Sequence, residues 1–310
     1  MQKRMNFPAW NPLECAPSST LDTQVHFMPS SNPEQADASA VVQLSHALRA
    51  FTCAAVLLHT VSAAAQDDRE STPYGLSGSI GVGVLSTTTY EGSDRRRTVL
   101  GPDVSLIYRT QEWGSVELGP RALIWQPLEL DDFKLGIAAG FDPGRKTKDS
   151  STADPTPGDK RLAGMGAVRS SPEAGLLLGF GPFSMLAHKA VGDRGHKGTQ
   201  VDFTAAFPFA LTDKVGMSFG VGASWADKRY TQAYFGVTPA QSHSSGFKTY
   251  SPEAGVRKFE ASVGAEYAFA KNWKLQGSLV LSRLAGDAEH SPLVMRRSSA
   301  SASTSLAYVF

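Results

Sequence analysis

The sequence predicts an all-β protein, an antiparallel transmembrane β-barrel. Three observations predict it. Segments of about 10 to 13 residues alternate apolar side chains with small or polar ones, the period of a strand whose two faces meet different surroundings. The links between these segments are by turns very short and long, as in barrels with tight periplasmic turns and long outer loops. The chain ends on Phe310, with Tyr308, Leu306 and Thr304 behind it at spacing two.

Composition sets the bounds. The chain has 310 residues, of which 41% are hydrophobic, yet no stretch approaches the roughly 18 to 20 apolar residues of a membrane-spanning helix. Its 29 glycines and 18 prolines, with 19% charged residues, suit short strands and turns better than charged amphipathic helices. The whole chain has a formal net charge of +1, and without residues 1–65 it carries 27 basic against 25 acidic residues, a net of +2, which argues against a nucleic-acid partner.

Residues 1–43 show no hydrophobic period and are rich in Pro, Ser, Asn and Gln. They read either as a disordered leader or as a start codon assigned too far upstream. Residues 44–65 carry Arg49, an apolar run from Ala50 to Val61 and the small-residue site Ala63-Ala64-Ala65, the plan of a secretory signal peptide. Cleavage before Gln66 leaves residues 66–310 as the barrel domain. That domain lacks cysteine, because Cys15 and Cys53 both lie upstream. Cys53 falls inside the apolar run and not after it, so it is not a lipid-anchor cysteine.

The strands then follow in order. In "GLSGSIGVGVLSTT", Leu76, Ile80, Val82 and Val84 fall on one side, and Ser77, Ser79, Gly81 and Gly83 on the other. The alternation returns in "VDFTAAFPFAL", "VGMSFGVGASWA", "FEASVGAEYAFA", "WKLQGSLVLSRLAG" and the terminal "SSASASTSLAYVF". A soluble sandwich would charge its outer face, whereas the second face here is Gly, Ser, Ala and Thr with occasional charges. "GFGPF", "LTDK" and "FAKNW" are the short links. Thr89–Thr98, Asp142–Arg161, Val191–Gly198, Asp227–Val256 and Gly286–Arg297 are the long ones. The count comes to about eleven strands, and a single-chain bacterial barrel has an even number. The uncertain division is Trp113 to Gly144; twelve strands is the preferred reading and ten the alternative.

No catalytic, metal or cofactor site is expected. His188, His196, His243 and His290 lack metal-ligand spacing. Ser184, His188 and Asp193, or Asp287, His290 and Ser291, could be imagined as triads, but serine is abundant. "GMSFG" around Ser218 lies inside a strand, where a nucleophile elbow requires a strand-to-helix turn. Arg95, Arg96 and Arg97 read as a solvated loop, or as a contact for lipopolysaccharide phosphates. Arg283 and Asp287 read as an ion pair in the lumen. "YFGVTPAQS" reads as an ordered loop, with Tyr234 and Phe235 as anchors, Gly236 allowing a tight backbone and Pro239 stiffening it.

Five motifs resemble the MltA-interacting protein (MipA) and OmpV family of Gram-negative outer-membrane proteins. They are "YEGSDRR" (Tyr90–Arg96), followed by Pro102; "GFDPGR" (Gly140–Arg145); "RLAGMGAV" (Arg161–Val168); "WADKRYTQAYFGVTPAQS" (Trp225–Ser242); and "SRLAGDAEHSPLV" (Ser282–Val294). The resemblance implies a non-enzymatic barrel that scaffolds a lytic transglycosylase and a murein synthase, with a small-solute channel, or a surface adhesin or envelope-stress protein, as alternatives. It implies outer-membrane lipid, lipopolysaccharide and the barrel-assembly machinery as partners, the last reading the strand that ends at Phe310. It singles out Tyr90, Gly92, Ser93, Asp94, Tyr234, Phe235, Gly236, Pro239, Gly286 and Asp287 as loop residues, and makes "YFGVTPAQS" a cap or an inward-folded plug of the outer mouth. Pro143 departs from the family pattern and puts the end of its strand in doubt.

Overall fold

Alternating strands of this length can satisfy their backbone groups within a bilayer only by closing on themselves. The computed structural model describes residues 74–310 apart from 121, 131 and 155, so the leader and signal segment lie outside the described residues. The twelve strands are β1 (Gly75–Thr88), β2 (Arg96–Arg109), β3 (Ser115–Leu118), β4 (Ala122–Leu130), β5 (Phe133–Asp142), β6 (Ser171–Phe180), β7 (Phe183–Ala190), β8 (Thr199–Thr212), β9 (Val215–Ala226), β10 (Gly255–Ala270), β11 (Trp273–Leu284) and β12 (Ser298–Val309). Each is antiparallel to its chain neighbour, and β12 closes on β1 from Ser79↔Val309 to Ser86↔Ala302. The segment that resisted division holds β3, β4 and β5. Strand β5 stops at Asp142, immediately before Pro143, which could not donate to a ladder.

The alternation reports which face meets lipid. Leu76, Ile80, Val82 and Val84 point outward and are exposed, as are Leu275, Leu279 and Leu281 on β11 and Leu306 and Tyr308 on β12. Ser303 and Ser278 point inward and share a hydrogen bond of 2.6 Å. At the end with the short turns the outward residues become aromatic. Tyr108 and Trp113 are 5.8 Å apart, Trp273 and Tyr308 5.5 Å, and Tyr308 and Phe310 6.4 Å. Phe133, Phe180, Phe183, Phe209 and Phe269 continue this belt, which suits a membrane interface. Phe310 is fixed by exchanging backbone hydrogen bonds of 3.1 Å with Gly78.

One seam of the wall is incomplete. β2 pairs with β1 from Arg96 to Arg109 but with β3 only from Leu106 to Arg109, because β3 has four residues. The β2 edge beyond Leu106 meets the β5–β6 loop instead. There the Leu100 amide donates to the Thr152 carbonyl (3.2 Å), and Arg97 Nη1 donates to the carbonyls of Asp154 (3.1 Å) and Thr156 (3.0 Å). Pro102 has the same parity as Leu100, so the donor it lacks would have pointed to this edge, where a strand tolerates proline.

The outward register yields a direct test. Leu279→Arg puts a charge on the lipid face and should cost about 2–4 kcal/mol near the bilayer midplane, lowering the folded fraction in lipid vesicles. Gln276→Arg, on the lumen face of the same strand, should fold nearly as well as the parent. Equal folding yields would mean that the faces are wrongly assigned.

Candidate functional site

The long loops fold over the outer mouth. "YFGVTPAQS" is ordered, but as the ends of two helices and not as a loop: α1 (Lys228–Phe235) and α2 (Pro239–Ser245). Asp227 caps α1 by accepting from the Tyr230 amide (2.9 Å). Thr238 and Gln241 form a reciprocal capping box on α2, with Pro239 in its first turn and the left-handed Gly246 (φ 79°) at its end. Gly236 has an ordinary φ of −77°. It is required instead by proximity, since a Cβ there would lie 2.6 Å from the Gln232 backbone carbonyl oxygen.

Two apolar clusters hold this cap. Tyr90, Leu162, Met165, Val237 and Leu293 form one, and Ala226, Tyr230, Phe235, Leu284 and Ala288 the other. Phe235 is only 1% exposed. The residues singled out by resemblance converge here. The Tyr90 hydroxyl donates to the Leu293 carbonyl (2.9 Å), and the Phe235 carbonyl accepts from Ser291 Oγ (2.6 Å). Gly92 takes a φ of 92° that favours glycine, and its carbonyl accepts from the Met295 (2.7 Å) and Arg296 (3.0 Å) amides. Ser93 Oγ meets Thr89 Oγ1 at 2.7 Å, and Asp94 pairs with Arg161. Gly286 and Asp287 open the short helix α3 (Gly286–Glu289).

Several expected pairings are replaced by others. Asp287 does not pair with Arg283: its Oδ2 accepts from the Glu253 amide (2.7 Å), while Arg283 is exposed on the outward parity of β11. The arginine run is not a free solvated loop. Arg95 pairs with Asp149 (3.1 Å) and the buried Asp159 (2.9 Å), and Arg96 reaches Ser86 Oγ (2.9 Å) and the Ala300 carbonyl, while Arg97 binds the loop carbonyls described above. Neither imagined triad forms. His188 is engaged by two carboxylates, and Ser291 donates to a carbonyl. Ser218 lies within β9, paired with β8 and β10.

Beneath the cap, strand residues build a polar network. His188 sits between Glu173 Oε2 (2.9 Å at Nδ1) and Asp202 Oδ2 (3.1 Å at Nε2), an arrangement that the doubly protonated ring satisfies. Asp202 also accepts from Ser224 Oγ. Arg257 Nη1 donates to both oxygens of Glu91 (2.7 Å each), its Nη2 donates to Gln200 Oε1 (3.0 Å), and its guanidinium lies 5.0 Å from the Tyr230 ring centre. Burial opposes ionisation of Glu91, but the Arg257 and Lys258 cations outweigh it and hold the carboxyl at about 2. Burial also pushes the Tyr230 phenol well up. Sequence reasoning missed this network. The available signal was the few charges on otherwise small faces, such as Glu173 in "SPEAGLLLG" and Asp202 in "VDFTAAF".

Asp142, Glu173 and His196 bring one possible ligand atom each within 4.8 Å of one another. The histidine tautomer speaks against a cation site. The Gly198 amide donates to His196 Nδ1 (3.1 Å), so in the neutral ring the proton sits on Nε2, 3.0 Å from Glu173 Oε1. A ligating histidine needs the reverse, a free Nε2 and an Nδ1 that donates.

A closed barrel of even strand number, apolar outside, polar within and belted with aromatics, defines an outer-membrane β-barrel protein. Residues 80–310 match the family described as MltA-interacting protein MipA, and the chain belongs to it. Its relatives include the MltA-interacting protein of Escherichia coli (strain K12), 26% identical over 180 residues that cover 57% of this chain and 69% of that one. Another is the 24 kDa outer membrane protein of Pasteurella multocida (strain Pm70), 27% identical over 118 residues, 38% of this chain and 46% of that one. Among solved structures, the COG4313 outer membrane channel from Pseudomonas putida F1 aligns with 78% of this chain and 98% of its own, at 11% identity and a TM-score of 0.34.

The cap should loosen without loss of the barrel. Phe235→Ala removes a fully buried ring, costing about 3–5 kcal/mol of local packing. Limited proteolysis in detergent should cut the segment around α1 and α2 faster, while heat-modifiable gel mobility stays that of the parent. Unchanged proteolysis would show that Phe235 does not hold the cap.

The Glu91–Arg257 pair should make the cap acid-sensitive. The folded carboxyl lies at about 2 against an ordinary 4.5, so its stabilisation is complete above about 4.5 and is lost as pH falls towards 2. The hydrogen-exchange protection of amides 89–95, relative to free amides at the same pH, should fall across that window in the parent. In Glu91→Gln that protection should be low throughout, with a flatter profile.

Proposed function

We propose that this chain is a non-catalytic outer-membrane anchor that holds a lytic transglycosylase near a murein synthase at the inner face of the outer membrane. Family membership supports the reading, as does the name MltA-interacting protein borne by its relatives. The structural observation that carries it is the filled mouth. Two apolar clusters and a network of paired charges occupy the outer end of the lumen, an arrangement suited to closing a water path and not to keeping one open. The histidines and the acids around them are engaged with one another, which speaks for structure over catalysis. Cleavage before Gln66 and export complete the reading.

Docking would then fall on the opposite end, where tight turns present charges such as Asp213, Lys214 and Lys271. Purified lytic transglycosylase from the same organism should be retained by the immobilised, folded chain. Lys214→Glu combined with Lys271→Glu should weaken retention about tenfold or more if these charges steer the contact. In planar bilayers the parent should give no conductance steps. Steady steps from the parent, with no retention of the enzyme, would overturn the anchor and favour a small-solute channel.

A further inference from the structure

We propose that the cavity beneath α1 is a binding site for a small organic carboxylate, held by Arg145. Arg145 follows β5 and is fixed by reciprocal backbone hydrogen bonds with Val168 (2.8 and 2.9 Å). Arg145 lines the cavity and is only 2% exposed. Nη1 donates to the Tyr234 carbonyl (2.6 Å) and the guanidinium carbon lies 5.9 Å from the Tyr234 ring centre, while Nε is enclosed without a hydrogen-bond partner. Among the described residues no carboxylate lies within ion-pair distance of it. Arg257, equally buried, has Glu91 at 2.7 Å. A guanidinium keeps its charge at any working pH, and a buried charge calls for a counter-ion.

The acids nearby do not supply one. Glu91 is held by Arg257 and Lys258, Glu173 by His188 and His196, and Asp142 Oδ1 by the Tyr234 hydroxyl (2.6 Å) and the Gly144 amide (2.7 Å). Their presence also selects the ligand. A phosphate dianion would face three carboxylates, whereas a monoanion with an apolar body would not gather so much like charge. Phe141, Ala138, Pro143 and Leu186 give the cavity apolar walls, and its volume is about 140 Å³, close to that of engineered cavities that accept benzene. A planar carboxylate matches the donor fork of arginine.

Benzoate is the probe, with benzamide as its neutral counterpart. Equilibrium dialysis against the full chain folded in detergent should show saturable benzoate uptake at millimolar concentrations and at least about tenfold weaker uptake of benzamide. Arg145→Lys keeps a cation but loses the fork and should weaken benzoate by about tenfold or more. Leu186→Trp fills the cavity from the β7 wall and should abolish uptake while Arg145 remains. Heat-modifiable mobility checks folding of each variant; if Arg145→Lys does not fold, Leu186→Trp decides. Absent saturable uptake by the parent, equal uptake of benzamide, or parent-like uptake by the folded variants would each overturn the proposal.

Discussion

The pairing of Arg257 with Glu91 ties the wall of this barrel to its cap. Arg257 belongs to β10 and faces inward; Glu91 belongs to the first outer loop. Arg257 is buried and could not stand there alone, because an unpaired buried charge is strongly unfavourable. Together they fix the loop above the strand and give Tyr230 a cationic face to rest on. From Arg257 the chain of contacts continues through Gln200 to Glu173, His188 and Asp202, so that β6, β7, β8 and β10 share one polar system. The apolar clusters above it depend on that floor.

Burial of apolar side chains explains why the cap uses residues from so many loops. The described chain places Tyr90, Leu162, Val237 and Leu293 in one cluster although they come from four separate outer segments. Meeting over the lumen, they form a small second core, stabilised by packing where the wall is stabilised by hydrogen bonds.

The wall was legible in the sequence and the cap largely was not. Period-two alternation is local, so Leu76 to Val84 and Leu306 to Phe310 declare their faces without knowledge of any partner. The four residues of β3 are too few for a period, which is why the segment from Trp113 to Gly144 resisted division. The helical cap was hidden by composition. "KRYTQAYF" and "PAQSHSS" contain Thr, Tyr, Phe, His and Ser, which are indifferent helix formers, although the Thr238-Pro239-x-Gln241 spacing was a capping signal in plain view. The network was hidden by distance: Glu91 and Arg257 stand 166 residues apart, and only the closed topology brings them together. Gly236 shows a subtler limit. A glycine in a turn suggests a special φ, but here the backbone is ordinary and the crowding by Gln232 is what excludes a side chain.

The shortness of β3 has a mechanical consequence. Hoop stiffness in a barrel comes from ladders of hydrogen bonds that run unbroken from strand to strand around the circumference. At the seam between β2 and β3 that ladder spans four residues, and above it the rim is bridged by single contacts from a loop to Leu100 and Arg97. The outer rim therefore behaves as a split ring with a soft clasp. Where a complete cylinder would close on strand ladders all the way round, this rim closes on a loop, whose few hydrogen bonds to Leu100 and Arg97 stand in for the missing ladder.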